Sequence, residues 1–355
     1  MTVPVHVVSL GARTPVGLSV APAAAAVRAG INAMAEHPFL LDQVGDPILG
    51  ALDAEIDPGL CGAERLLRLL TPALREACAV LVDTPHAEMR LPLYLGLPEY
   101  RPGFAQRDVD AILAGLEKVR DLAVPLSNVT FFVQGHAAGL AALRAAQRQI
   151  ELGELEACLV AGVDSYFHPD TLGWLDRNRQ LMGAVSRSGF VPGEGAGACL
   201  VMSSKCSERL NLPSFARVRS VAMGQEAKLI KTDDMNFGEG LTAAVSEALG
   251  GMKLPNERIH GVICDINGER YRGEEWGFVC LRLSHYFDDP TAYQSPAENW
   301  GDMGAASASL FLMLACQAAI RGYAKGARTM LWMSSEAGLR GAAILETPAF
   351  SKAER

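Results

Sequence analysis

Two distant stretches of the chain follow one plan. In the first, a turn of small residues at 137–139 leads into a helical segment that ends near Gly153, and an apolar strand at 157–162 follows. In the second, the turn at 304–307 leads into a helical segment of similar length, and a strand at 329–333 follows. Because a repeated sequence plan forms a repeated structural unit, the chain is predicted to contain two similar halves packed together.

Both helical segments are apolar over most of their circumference, which predicts burial on all sides. Each half opens with a strand-like run, Val5–Leu10 in the first and Ala216–Met223 in the second. Apolar strand runs that alternate with helices are typical of α/β proteins with mainly parallel sheets. We therefore expect two α/β halves, 1–210 and 211–355, with their matching helices at the centre.

Composition and net charge exclude some classes of protein. The 355 residues are 49% hydrophobic and carry a net charge of −8, which suits a large buried core and argues against a nucleic-acid partner. The first residues resemble no signal peptide. The uncharged stretch Met303–Ile320 is predicted to be a buried core helix rather than a membrane span. We expect a cytoplasmic protein with no membrane partner, and a polar tail from Ser351.

The cysteine pattern predicts neither disulfides nor a metal site. None of the eight cysteines lies in a CxxC or other metal-type spacing, and most lie in apolar segments. We expect reduced, buried thiols and no cofactor. The cysteines are at positions 61, 78, 158, 199, 206, 264, 280 and 316.

His136 lies at an elbow where an extended run, Val129–Val133, passes into the first central helix. Such a position suits a nucleophile, because the helix dipole stabilises negative charge there. A cysteine would be activated at this point. A histidine is expected to be disfavoured as a cation and to be a poor covalent catalyst for acyl chemistry.

Several local motifs resemble one family. The opening Val7–Gly17, the strand end Gly162–Ser165 and, most specifically, the run Ser188–Gly197 are similar to β-ketoacyl-acyl-carrier-protein synthases of the thiolase-like superfamily. The resemblance covers nearly the whole chain and is stronger over the first 205 residues. It implies a thiolase fold, with two similar βαβ-type halves packed as α-β-α-β-α layers.

The family's chemistry needs one cysteine and two histidines, and the resemblance places other residues there. His136 stands at the cysteine position, Asn267 at the first histidine position and Asp302 at the second. An expected lysine is replaced by Ala297, and the run Ser334–Gly341 stands in place of a Gly-Phe-Gly-Gly loop. Asp302 would place negative charge where negative charge develops in the family's transition state. The resemblance thus implies a degenerate member without condensing activity.

Two interpretations of this trio remain open. His136 and Asp302 could converge as a general-base pair of an acyltransferase or hydrolase, although no GxSxG serine elbow is present. Alternatively, the three side chains fill a vestigial site and hydrogen-bond to one another. We favour the second interpretation, so no catalytic residue is assigned.

Three other stretches allow a functional and a structural interpretation. The glycines of 193–197 precede a strand, so close packing is favoured over phosphate binding, with Glu194 as a structural acceptor. The charged run 265–275 is predicted to be a solvated loop, or else a recognition surface at the mouth of the site. The run 91–98 is predicted to be a core strand, although exposed it would form an interface patch.

Function is predicted from the resemblance. The chain is similar to the chain-length-factor subunits that lack the cysteine and pair with an active synthase, and Asn128–Val133 would be the dimer strand. We expect a homodimer, or a heterodimer with a synthase-like subunit, with an acyl-carrier protein as a further partner. The alternatives are an altered acyltransferase or hydrolase, and an accessory or adaptor protein of a bacterial secretion effector.

Overall fold

The computed structural model describes residues 3–84, 89–230, 232 and 234–348. The tail from Ser351 lies outside them. The strands are β1 (Val5–Arg13), β2 (Ala35–Leu41), β3 (Pro47–Gly50), β4 (Leu91–Leu97), β5 (Leu126–Val133), β6 (Ala157–Ser165), β7 (Glu194–Ser203), β8 (Ala216–Gln225), β9 (Gly261–Cys264), β10 (Arg328–Ser334) and β11 (Leu339–Glu346). The α-helices are α1 (Val20–Arg28), α2 (Gly62–Cys78), α3 (Gln106–Leu116), α4 (Ala138–Leu152), α5 (Pro169–Arg177), α6 (Ser204–Arg209), α7 (Glu239–Leu249), α8 (Arg270–Leu283), α9 (Ala297–Trp300) and α10 (Ser307–Ile320).

The predicted duplication is visible in the sheet. Its nine strands run in the order β5-β4-β6-β7-β1-β8-β11-β10-β9, and β1 pairs with β8 where the halves meet. Counted outward from that junction, β1-β7-β6-β4 corresponds to β8-β11-β10-β9. At the outer side of β9, the place of a fifth strand is taken by a segment in which Gln294 bridges Ile263. The boundary near residue 210 stays a prediction.

The sheet is mixed, so the expectation of mainly parallel sheets is wrong. β4 runs parallel to β5 and β6, and β9 runs parallel to β10, whereas the other neighbouring pairs are antiparallel. Helical crossovers through α3 and α4 produce the parallel pairs of the first half. The short turn between β10 and β11 instead forces an antiparallel pair, which apolar strand runs do not reveal.

Five layers form around three apolar clusters. Helices α4 and α10 lie between the two halves of the sheet, where one cluster joins their side chains to β1, β6, β7 and β10. A second cluster packs α2 and α3 on the outer face of the first half, and a third packs α7 and α8 on the outer face of the second. The predicted α-β-α-β-α arrangement, with matching helices at the centre, is confirmed.

Small residues allow the two central helices to approach closely. A Cβ added to Gly139 of α4 would lie 2.6 Å from the Ala308 Cβ of α10, and one added to Gly162 would lie 2.2 Å from the Ala305 carbonyl oxygen. Helix α4 ends at Gly153, which has φ +75°, as the sequence predicts. The stretch Met303–Ile320 is buried around α10. No helix in the described part of the chain is long and apolar enough to cross a membrane.

Other structural predictions hold. Residues 91–97 form the buried strand β4. The eight cysteines are free, and all except Cys61 and Cys280 are buried. Glu194 is a buried acceptor: its carboxylate receives the Arg65 guanidinium at 2.5 and 2.6 Å and the Asp53 N–H at 2.8 Å. Gly193 packs against the Trp300 carbonyl, where a Cβ would lie at 2.3 Å, so this glycine run serves close packing.

Candidate functional site

His136 lies on a single 3₁₀ turn, Gly135–Ala137, between strand β5 and helix α4. Gly135 has φ +67°, a conformation that glycine adopts without strain, and its backbone lies against Glu99. The turn directs the imidazole into the space between the two halves, where His136 is only 6% exposed. The predicted elbow is therefore present.

Asp302 belongs to the second half of the chain, and its side chain lies in the same space between the two halves as the His136 imidazole. Its backbone N–H donates to the Val191 carbonyl at 2.8 Å, and its carbonyl accepts the Gly193 N–H at 2.9 Å. These bonds fix Asp302 just before the turn Gly304–Ala306, which begins the second central helix. The two elbows of the duplicated plan thus face each other across the centre of the molecule.

The three positions predicted from the resemblance converge on one carboxylate. The His136 Nε2 lies 2.8 and 3.0 Å from the two oxygens of Asp302, and the Asn267 amide donates to that carboxylate at 2.5 Å. The Tyr166 hydroxyl donates to it at 3.0 Å, and the Gly304 N–H donates at 2.7 Å. Both carboxylate oxygens are therefore occupied by protein donors.

Arg272 also belongs to the cluster. Its place in the site was not predicted from the sequence. Its guanidinium is fully buried, donates to Asp265 at 2.5 Å and to the Ser334 carbonyl at 2.6 Å, and has one nitrogen 3.2 Å from the His136 Nε2. The His136 Nε2 is close to two carboxylate oxygens and one guanidinium nitrogen. A proton on Nε2, donated to Asp302, satisfies the larger number of these contacts.

Burial and ion pairing have opposite effects on the pKa values of the charged groups in the cluster. Burial disfavours charge on His136, but the Asp302 carboxylate outweighs it and raises the pKa of His136 above its usual value. Burial likewise opposes the charge of Asp302, but the His136 cation and Arg272 hold the pKa of that carboxyl well below its usual range. The raised pKa of His136 contradicts the expectation that the elbow disfavours a histidine cation, because the facing Asp302 carboxylate outweighs the effect of burial.

The described residues around the pair offer no activated nucleophile. The Ser335 hydroxyl accepts the Ala137 N–H at 2.9 Å and donates to the Gln134 carbonyl at 2.6 Å, so it makes no bond to His136. Burial raises the pKa of the Cys264 thiol well above its usual value. A neutral thiol is a poor nucleophile.

The charged run 265–275 is not a solvated loop. Residues from 270 onward form the first turns of α8, and Asp265, Glu269, Arg272 and Glu275 are buried. Arg340 satisfies Glu275 through bonds of 2.6 and 2.7 Å. The run lies at the mouth of the site, but four of its six charged side chains are buried. That it is a recognition surface stays a prediction.

A cavity of about 710 Å³ opens beside the site. Its wall includes Gln180, Glu269 and Tyr271 near the cluster, with Met235 and Phe237 on the outer side. Within the described ranges, no group of three or more His, Cys, Asp or Glu side chains is arranged to hold a metal ion.

Comparison with known proteins agrees with this architecture. Residues 133–206 match the family profile described as "Beta-ketoacyl synthase, N-terminal domain". Over these residues the chain is similar to the β-ketoacyl synthases. No curated protein sequence matches the chain.

Solved structures share the fold at low identity. The ishigamide ketosynthase/chain length factor has a TM-score of 0.78 at 17% identity, over 98% of this chain and 100% of that one. A type II PKS acyl-carrier protein in complex with its ketosynthase bound to the hexaketide has a TM-score of 0.78 at 14% identity, over 98% and 100%. The ketosynthase from module 6 of the bacillaene synthase from Bacillus subtilis 168 has a TM-score of 0.77 at 15% identity, over 97% and 72%.

Proposed function

We propose that the ketosynthase-like chain is a non-catalytic subunit that pairs with a synthase-like partner, as a chain length factor does. The observation that carries the proposal is the buried His136–Asp302 pair, which stands where the family resemblance expects a cysteine and a histidine. A condensing enzyme needs a nucleophile that can form a thioester and donors that can stabilise an enolate. The pair supplies neither function.

The electrostatics support this proposal. The Asp302 carboxylate is kept ionised by His136, Arg272 and the start of the second central helix. An anion at this position would oppose the negative charge that develops on a substrate during condensation. The donors that could stabilise such charge, including the Asn267 amide, are already bonded to Asp302.

The hydrolase or acyltransferase alternative has less support. A histidine–aspartate pair can act as a general base when it activates a hydroxyl or a water molecule. Here the nearby Ser335 hydroxyl donates to a backbone carbonyl, and the His136 Nε2 is held between Asp302 and Arg272. Activation would require this arrangement to be broken, so we keep the non-catalytic proposal.

The free edge of β5 is the candidate pairing surface. β5 is the terminal strand of the sheet and carries no charged side chain, and Val129, Phe131 and Phe132 along it are only partly buried. An uncovered apolar edge strand is a template for pairing with another chain. The opposite edge of the sheet is bridged at Gln294, which leaves β5 as the more accessible edge.

Structural neighbours support a partner of this kind. They include a ketosynthase/chain length factor and a ketosynthase in complex with an acyl-carrier protein. A synthase-like subunit or a second copy of this chain would extend the sheet through β5. An acyl-carrier protein is proposed as a further partner of the assembly.

Co-purification of the tagged chain from its native cells, followed by mass spectrometry and a native mass measurement, tests the proposal. Thr130 is exposed in the middle of β5, so Thr130→Lys should release the paired subunit, because a lysine on an edge strand opposes pairing. Ser246→Lys, at an exposed position of α7, is the matched control and should retain the partner.

The identity of the recovered partner separates the alternatives. A synthase-like subunit that is lost from Thr130→Lys supports the proposal. A secretion effector would support the adaptor alternative instead, and recovery of a monomer alone would contradict a paired subunit. A homodimer that survives Thr130→Lys would refute β5 as the pairing edge.

A further inference from the structure

A short loop crosses the mouth of the site between α5 and β7. At its base, the Phe190 N–H donates to the Gln180 carbonyl at 2.7 Å, and the Met182 N–H donates to the Phe190 carbonyl at 2.9 Å. The tip closes with a bond of 3.0 Å from the Gly183 N–H to the Ser186 carbonyl. The loop is thus hydrogen-bonded internally and forms one compact unit.

The underside of this loop lies against the segment that carries Asn267. A Cβ added to Gly268 would lie 2.8 Å from the Gly189 carbonyl oxygen, so the two backbones are in direct contact. Below them, the Asn267 amide bonds to Asp302, which holds His136. The loop therefore separates the buried pair from the outside.

One side chain holds the loop down. The Gln180 amide nitrogen donates to Glu336 at 2.7 Å, in the turn between β10 and β11, and lies 3.4 Å from Glu269 at the start of α8. Gln180 is 6% exposed, yet its Oε1 is buried with no hydrogen-bond partner in the described part of the chain. An unpaired buried acceptor is unfavourable, and it would be satisfied by water if the loop opened.

The surroundings of the loop permit such a movement. Arg179, at its base, has φ +56°, a left-handed conformation that is strained for a residue with a side chain. The cavity of about 710 Å³ lies on one side, lined by Gln180 and Ser188. A second cavity of about 160 Å³ separates the loop from the β2–β3 hairpin. Met182 and Val185 at the tip are exposed.

We propose that the segment 179–189 is a gate, latched by Gln180, that closes the path from the larger cavity to the His136–Asp302 pair. When the latch releases, the amide leaves Glu336 and Glu269, and solvent passes beyond the partly buried Asn267 to reach His136. This inference is independent of the proposed partner role, since a gate can control a small-molecule site in either a catalytic or a non-catalytic chain.

The rate at which diethyl pyrocarbonate modifies His136 tests the gate. The reagent acylates accessible neutral imidazoles, and peptide mass spectrometry measures His136 relative to the exposed His285 in the same sample. Gln180→Ala should raise the relative rate at least tenfold. Gln180→Lys should keep it at or below the parent rate, because an ammonium group can bind both glutamates. Gln225→Ala, which loses a bond to Ala337 in the same β10–β11 turn, should leave the rate unchanged.

Amide hydrogen exchange across 181–189 provides a second measurement that does not depend on the protonation of His136. It should accelerate in Gln180→Ala and remain at the parent rate in Gln180→Lys and Gln225→Ala. The gate is refuted if a folded Gln180→Ala protein matches the parent in both measurements, or if Gln180→Lys opens as much as Gln180→Ala.

Discussion

Removal of the His136 imidazole should lower the free energy of unfolding, because it breaks the buried His136–Asp302 pair. In His136→Leu, the Asp302 carboxylate loses its closest cationic partner while it remains buried. Breaking a buried ion pair by removing one partner typically costs about 3–5 kcal/mol. Because Tyr166, Asn267 and the Gly304 N–H still donate to Asp302, we expect the lower end, about 3 kcal/mol.

The pH dependence of this loss has a defined sign. The pKa of His136 is raised in the folded protein, so its stabilising contribution is fully present below its unfolded value of 6.5 and is lost as the pH rises through the folded pKa. The pKa of Asp302 is lowered, so its contribution is present above 3.8 and is lost as the pH falls through its folded pKa. The pair should therefore stabilise most between these two reference values.

Urea unfolding of the parent and of His136→Leu at pH 5.5 and pH 9.5, followed by circular dichroism, measures this effect. The difference in the free energy of unfolding should be larger at pH 5.5. His285→Leu, at an exposed histidine, is the control and should stay within about 0.5 kcal/mol of the parent. A His136→Leu protein as stable as the parent, or a difference that is the same at both pH values, would refute the reasoning.

Two further predictions concern residues that hold the site in place. Glu194→Ala should lower the free energy of unfolding by about 3–5 kcal/mol, because it leaves Arg65 buried without its carboxylate; an unchanged urea midpoint would contradict this. Gly304→Ala should cost more than Gly153→Ala, since a Cβ at Gly304 would lie 2.0 Å from an Asp164 oxygen, whereas Gly153 has nothing within 4 Å. Both glycines have positive φ, so Gly153→Ala should cost about 1–2 kcal/mol in thermal unfolding, and equal costs would refute the packing argument.

The sequence predicts those parts of the fold that depend on local patterns. Gly153 marks the end of a central helix, because glycine readily adopts the left-handed conformation found at this helix end. The burial of the two central helices follows from their apolar circumference. Strand direction was predicted incorrectly, because an apolar strand such as β7 or β11 has the same composition whether its neighbours are parallel or antiparallel.

Only part of the candidate site could be predicted from the sequence. Family resemblance brought His136, Asn267 and Asp302 together, and the structure places them in contact. Arg272 and Tyr166 were missed, because the members of the pair that they contact, His136 and Asp302 respectively, are each 136 residues away in the chain, and neither residue belongs to a recognisable spacing. The charged run around Arg272 resembles a solvated segment, and only the tertiary contacts with Asp265 and Ser334 show that it is buried.

We propose that the site carries no condensing or acyl-transfer chemistry. This proposal is tested by incubation of the purified chain with acyl-CoA and acyl-carrier protein, followed by intact-mass measurement and a turnover assay. We expect no covalent acyl adduct and no turnover above the level of the His136→Ala variant. Turnover that is present in the parent and lost in His136→Ala would contradict it.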